Sequence, residues 1–129
     1  MKHSIQLYRI FGGSIMNVIN YQAVPEQKVE DGNNATIRWI LTENEGADNF
    51  YMRVIELAPR GYTAHHAHAW EHEFYVVEGE GKLVGDDTSF PLGIGDSGIV
   101  PAGEKHHFES TAGTNLRFIC LIPSKKCQP

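Results

Sequence analysis

The sequence predicts an all-β domain, a sandwich or a closed barrel. Short runs rich in β-branched and aromatic residues recur along the chain, turns bearing glycine or proline separate them, and no apolar stretch keeps a helical period for long enough to form a helix. Closing such strands into a sandwich or barrel also removes the sheet edges that invite aggregation.

Residues 1–15 read as an N-terminal extension ahead of a single domain at 16–129, because Met16 offers a second plausible start and residues 4–11 alternate only weakly. That extension is either a frayed tail or an extra edge strand exchanged between subunits. Residues 21–34 are polar and carry Pro25, Asp31-Gly32 and Asn33-Asn34 as breakers, so they read as a loop-dominated entry. Strands are expected at 36–41 and 50–58, joined by a hairpin loop at 43–49, after which Pro59-Arg60-Gly61 turns the chain. Residues 73–78 form the next strand, Gly79-Glu80-Gly81 a tight turn and residues 82–85 its antiparallel return, with another turn at Gly85-Asp86-Asp87. The remaining strands fall at 97–100, 106–110 and 116–122, and Pro123 ends the ordered part.

A chain of 129 residues is one domain long. At that size roughly two-thirds of the unfolded surface is buried on folding, enough for a core without staples. Sixteen acidic against eleven basic residues give a net charge of -5, so the electrostatic footprint of a nucleic-acid binder is missing. No apolar run approaches the ~20 residues needed to span a bilayer. Gln6, Tyr8 and Arg9 interrupt what would have to be the core of a signal peptide, so a cytoplasmic location is expected. The two cysteines, Cys120 in an apolar strand and Cys127 in the polar tail, are not the spaced set of a disulfide scaffold and read as reduced thiols.

Six of the seven histidines, His65, His66, His68, His72, His106 and His107, fall between Gly61 and Ser110. Imidazole is the commonest protein ligand for divalent metals, and a His-x-His pair on an extended strand sets both rings on one face, so His66 and His68 point the same way. The same alternation turns the flanking His65 and His107 away, as surface or subunit-contact residues. Trp70 and Phe108 read as packing, and Glu71 and Glu104 as solvated carboxylates. Gly79, Gly81, Gly95, Gly98 and Gly103 read as conformational glycines.

Taken together, the glycines, the proline and the histidines resemble the cupin family. Its first motif has a glycine, His-x-His, three or four residues, usually a glutamate, then six residues and a glycine. Here Gly61 is followed after four residues by His66-Ala67-His68, then after three by His72, and Gly79 comes six residues later. The second motif is matched by Gly95, Pro101, Gly103 and His106, with Ser110 where the family has asparagine. At the fourth ligand place, a gap of six residues before Gly79 selects His72, whereas a gap of four residues after His68 selects Glu73. The stretch His66 to Glu73, with Phe118-Ile119-Cys120-Leu121-Ile122-Pro123, is similar to small single-domain cupins that hold manganese with four histidines, and that resemblance selects His72. It implies a double-stranded β-helix, or jelly-roll barrel, in a homodimer by family habit, with one divalent ion per chain on His66, His68, His72 and His106. Manganese is the ion the resemblance implies, and iron, nickel, zinc and copper also suit imidazole.

Four neutral imidazoles would leave the ion's charge uncompensated and favour an anion, hydroxide, peroxide or enolate. Two adjacent open positions on a six-coordinate ion would suit a bidentate oxygenated molecule, or a substrate beside dioxygen. The leading expectation is therefore an oxidoreductase, a dioxygenase or peroxide-dependent oxidase of a small organic molecule. Two alternatives stand beside it: a metal-anchored module that binds or senses a small ligand, and a metal-dependent isomerase or lyase. Alternation along 50–58 puts Arg53 on the face with Tyr51, Ile55 and Leu57, where its fork would orient a carboxylate or join a rim salt bridge. The resemblance places Phe118 and Cys120 near the metal pocket, Cys120 without a base that would make it a nucleophile.

Overall fold

A computed structural model describes residues 16–129, and the extension at 1–15, with its expected strand at 4–11, lies outside the described residues. Within them, nine strands form one curled antiparallel sheet: β1 (Gln27–Lys28), β2 (Asn33–Leu41), β3 (Phe50–Tyr62), β4 (His72–Gly79), β5 (Gly81–Gly85), β6 (Ser89–Leu92), β7 (Ser97–Val100), β8 (His106–Ser110) and β9 (Leu116–Pro123). The strand order is β6-β5-β8-β3-β9-β4-β7, with β2 also on β3 and β1 on β2. This is the jelly-roll that the sequence predicts.

The core follows from alternation. Tyr51, Ile55 and Leu57 of β3 face the same interior as Leu116, Phe118, Cys120 and Ile122 of β9, whose intervening residues point outward. β3 and β9 pair in continuous register from Phe50↔Pro123 to Leu57↔Leu116, and β4 lies on the other side of β9. The β2–β3 hairpin turns where expected: Thr42 and Glu45 form a capping box around a 3-10 turn at Glu43–Glu45, and Gly46 (φ 92°) closes it.

Two expectations need correction. Pro59-Arg60-Gly61 does not turn the chain; β3 continues through it to Tyr62 over a bulge, with Arg60 at φ 65° and Asn34 at φ 48°. The side chains of Asn33 and Asn34 donate to the carbonyls of Arg60 and Pro59, both at 3.2 Å. Ser110 Oγ, at the place of the family's asparagine, accepts from Gly61 N at 2.9 Å and donates to Ala58 O at 2.7 Å, which ties β8 to the bulge.

Residues 82–85 do not return along 73–78. β4 pairs with β7 and β9, whereas β5 pairs with β6 and β8. Gly79-Glu80-Gly81 is a crossing between the two halves of the barrel: Glu80 N donates to Asn115 O at 3.0 Å and Thr111 N to Glu80 O at 2.9 Å. A Cβ at Gly79 would collide with the Asn115 carbonyl and one at Gly81 with the Glu109 carbonyl. The hairpin partner of β5 is β6, a strand not among those expected, and it carries Pro91. β6 is an edge of the strand order, where a missing N–H is tolerated. Residues 21–34 are loop-dominated as expected, apart from β1, which pairs with Thr36 and Ile37 of β2, and the start of β2 at Asn33.

Candidate metal centre

Two segments far apart in sequence are joined by an antiparallel bridge between His66 and His106, whose backbones exchange hydrogen bonds of 3.1 and 3.0 Å. Directly bridged residues show their side chains on one face. His68, two residues on, is held by Gly103 N donating to its carbonyl at 2.7 Å, a contact made by the glycine of the second motif. His72 is the first residue of β4 and is buried opposite Val100, whereas Glu73 alternates to the exposed face.

The rings converge. His66 Nε2 lies 2.9 Å from His68 Nε2, and His72 Nε2 lies 3.0 Å from His106 Nε2. His68, His72 and His106 each offer a nitrogen within 4.8 Å of the others, a group that could hold a metal ion. His66 adjoins this trio through His68 and is the exposed member.

The donor set fits a cation. His106 Nδ1 donates to Glu104 O at 2.9 Å, so that ring gives its N–H away from the cluster, and His72 Nδ1 lies 3.3 Å from Cys120 Sγ. The His106 tautomer leaves its Nε2 lone pair facing His72 Nε2 at 3.0 Å, where a cation could be shared between the two rings. Protonation does not come easily. Burial, reinforced by His106 and Arg53, takes the His72 imidazole down to about 3, and burial with His66 and His106 takes His68 down to about 4. His106 is also lowered, by burial against the opposing effect of the Glu104 carbonyl. Near-neutral pH thus leaves these rings as free ligands.

Behind the histidines, Trp39, Arg53, Cys120 and Phe74 stand in one row across β2, β3, β9 and β4. Arg53 Nη2 donates to Cys120 Sγ at 2.7 Å, and its guanidinium lies 5.1 Å from the centre of the Trp39 ring. Arg53 Nε is buried and has no hydrogen-bond partner among the described residues. Cys120 is fully buried, which pushes its thiol up, against the pull of Arg53. Phe118, equally buried, packs on Phe108 at 4.3 Å between ring centres and belongs to the apolar floor. Trp70 stacks on His68 at 5.2 Å. Sequence reasoning missed the Trp39–Arg53 and Cys120–His72 contacts; β2–β3 register would have exposed the first.

A surface cleft of about 600 Å³ between Lys28, Ala35 and Pro59 is lined by no histidine. A cleft of about 420 Å³ reaches His72, flanked by Phe50, Glu71, Glu73 and Leu121. No helix among the described residues is long and apolar enough to cross a membrane.

A jelly-roll with histidines gathered at one end defines a class, and the comparison with known families agrees: the Cupin domain family matches residues 53–122, and the chain belongs to it. Among solved structures it is similar to the polyketide cyclase RemF from Streptomyces resistomycificus, at 32% identity, covering 88% of this chain and 81% of that one with a TM-score of 0.81. It is 32% identical over 69 residues to the oxalate-binding protein of Thermotoga maritima, a match spanning 53% of this chain and only 57% of that protein. Protein SchB of Streptomyces halstedii is 27% identical over 104 residues, 79% of this chain and 73% of that one.

Proposed function

We propose that this cupin is a metal-dependent enzyme acting on a small enolisable molecule with several carbonyl oxygens, in a cyclisation or isomerisation rather than an oxidation. The observation that carries the reading is the convergence of the histidine Nε2 atoms beside a half-buried guanidinium whose buried Nε has no partner among the described residues. The similarity to a polyketide cyclase over most of both chains supports the substrate class.

In this reading His66, His68, His72 and His106 are the ligands. The ion, manganese on the resemblance, supplies Lewis-acid polarisation of carbonyl oxygens and, with four neutral donors, keeps its full charge for them. Arg53 contributes what the imidazoles cannot: a fixed positive charge and an Nε–H without a partner among the described residues, both suited to negative charge gathering on a substrate oxygen. Trp39 holds the guanidinium flat, Cys120 ties it to the back of His72, and Trp70 walls the His68 side. Phe74, Phe108 and Phe118 keep the floor dry.

The second reading is the dioxygenase or peroxide-dependent oxidase, favoured by a donor set that leaves room for two small ligands side by side. Metal-loaded protein incubated with small β-dicarbonyl compounds under anaerobic conditions separates the two. Proton exchange at the carbon between the carbonyls, faster than with metal-free protein and slowed by Arg53→Lys, is expected. Substrate-dependent oxygen uptake with no anaerobic exchange would replace this proposal with the oxygenase. Elemental analysis of the purified protein identifies the ion.

A further inference from the structure

The alternation that gathers His66 and His106 on the inner face puts His65 and His107 together on the outer one. Their Nδ1 atoms lie 2.7 Å apart, with ring centres separated by 4.9 Å. Each ring is also held from behind. His65 Nε2 is 2.8 Å from Asp86 Oδ1, and His107 Nε2 is 2.7 Å from Glu109 Oε2. Asp86 comes from the β5–β6 turn, and its carboxyl is held low by the His65 hydrogen bond. Glu109, two residues along β8 from His107 on the same face, has Lys82 Nζ 3.9 Å from its other oxygen. The result is a chain of four side chains, carboxylate–imidazole–imidazole–carboxylate, outside the barrel.

An ionised carboxylate can only accept, so both rings direct an Nε2–H outward to their carboxylates and present Nδ1 to each other. Two neutral rings in this arrangement face lone pair to lone pair. A carboxylate–histidine pair is the arrangement that orients an imidazole towards a metal, and here two such pairs converge on one point.

We propose that His65 and His107 form a second, external site for a divalent transition-metal ion, bound through the two Nδ1 atoms, with Asp86 and Glu109 orienting the rings and water completing the coordination. The geometry also selects the class of ion. With metal–nitrogen bonds of about 2.1 Å, a separation of 2.7 Å subtends about 80°, close to adjacent positions of a square-planar or octahedral ion and well short of a tetrahedral angle. Copper(II) and nickel(II) are therefore preferred over zinc. The proposal does not depend on the function assigned to the barrel.

Calorimetric titration of untagged, metal-stripped protein with nickel(II) alone, with elemental analysis after desalting, tests it. Wild-type protein is expected to take two ions per chain, His65→Gln/His107→Gln one, and His72→Ala to keep the external ion. Asp86→Asn, on an exposed turn, is expected to weaken the external ion roughly ten- to a hundredfold, the usual cost of losing a carboxylate behind a ligand histidine, without touching the barrel ion. Wild-type protein that takes a single ion, lost in His72→Ala and kept in the double variant, would overturn the external site while leaving the barrel reading intact. An external ion indifferent to Asp86→Asn would equally overturn it, and that variant decides the matter if the double one fails to fold.

Discussion

Cys120 is the residue through which the core reaches the histidines, so its replacement tests the site's construction most directly. Its sulfur accepts from Arg53 Nη2 at 2.7 Å and faces His72 Nδ1 at 3.3 Å, in a position with no solvent exposure. Cys120→Ala removes both contacts at once. Arg53 Nη2 and His72 Nδ1 each lose a partner, at about 1–3 kcal/mol for each group left unsatisfied, more on the guanidinium side. Part of that cost falls on metal affinity, because His72 loses the partner that fixes its tautomer; the equivalent loss elsewhere is about ten- to a hundredfold. Cys120→Ser keeps an acceptor in nearly the same place and should recover most of the affinity. Competition against a chromogenic chelator measures both variants, with thermal unfolding of the metal-free forms as the control for stability. If Cys120→Ala binds metal as tightly as wild type, or if serine loses as much as alanine, the sulfur does not orient His72.

Three further outcomes follow from the geometry. His72→Ala should abolish most metal binding while Glu73→Ala leaves it within a factor of about two, because the β4 alternation buries the first and exposes the second; elemental analysis showing the reverse would reassign the fourth ligand. The metal-free protein should lose stability as pH falls from about 6.5. His72 is held near 3 when folded and titrates near 6.5 when unfolded, so the unfolded chain binds more protons over that interval, at a cost on the order of 4 kcal/mol for His72 alone. His68 and His106 act in the same direction, and a midpoint of thermal unfolding that stays level from pH 7 to pH 4.5 would contradict this. Ser110→Ala should cost about 1–3 kcal/mol in denaturant unfolding, since it leaves Gly61 N and Ala58 O at the bulge without their hydroxyl partner; a loss below about half a kcal/mol would mean that the bulge holds itself.

Much of the fold was legible because it is written at short range. Period-two alternation placed Tyr51, Ile55 and Leu57 inside with Arg53, and it separated His66 from His65 and His106 from His107 without any tertiary information. What failed was the choice of partner. Gly79-Glu80-Gly81 has the composition of a hairpin turn, and nothing local distinguishes it from a crossing. The distinction lies in the carbonyls of Glu109 and Asn115, which pack where Cβ atoms would be. Pro59-Arg60-Gly61 misled in the opposite sense: proline and glycine marked a real irregularity, but the hydroxyl of Ser110, roughly fifty residues on, makes it a bulge in a continuing strand rather than a reversal.

The site divides along the same line. Histidine spacing marked the candidate ligands because a metal needs particular atoms at particular intervals, and those intervals survive in one dimension. The groups that tune the histidines left no such mark. Trp39, Arg53 and Cys120 lie on three strands, and they meet only because β2, β3 and β9 run in a fixed register. A shift of one residue in the β3–β9 pairing would turn Cys120 outward and leave His72 Nδ1 facing an apolar wall. The register that fills the core with Leu57, Leu116 and Phe118 is therefore the register that sets the imidazole, and a core variant that loosens β9 should weaken metal binding even though it touches no histidine.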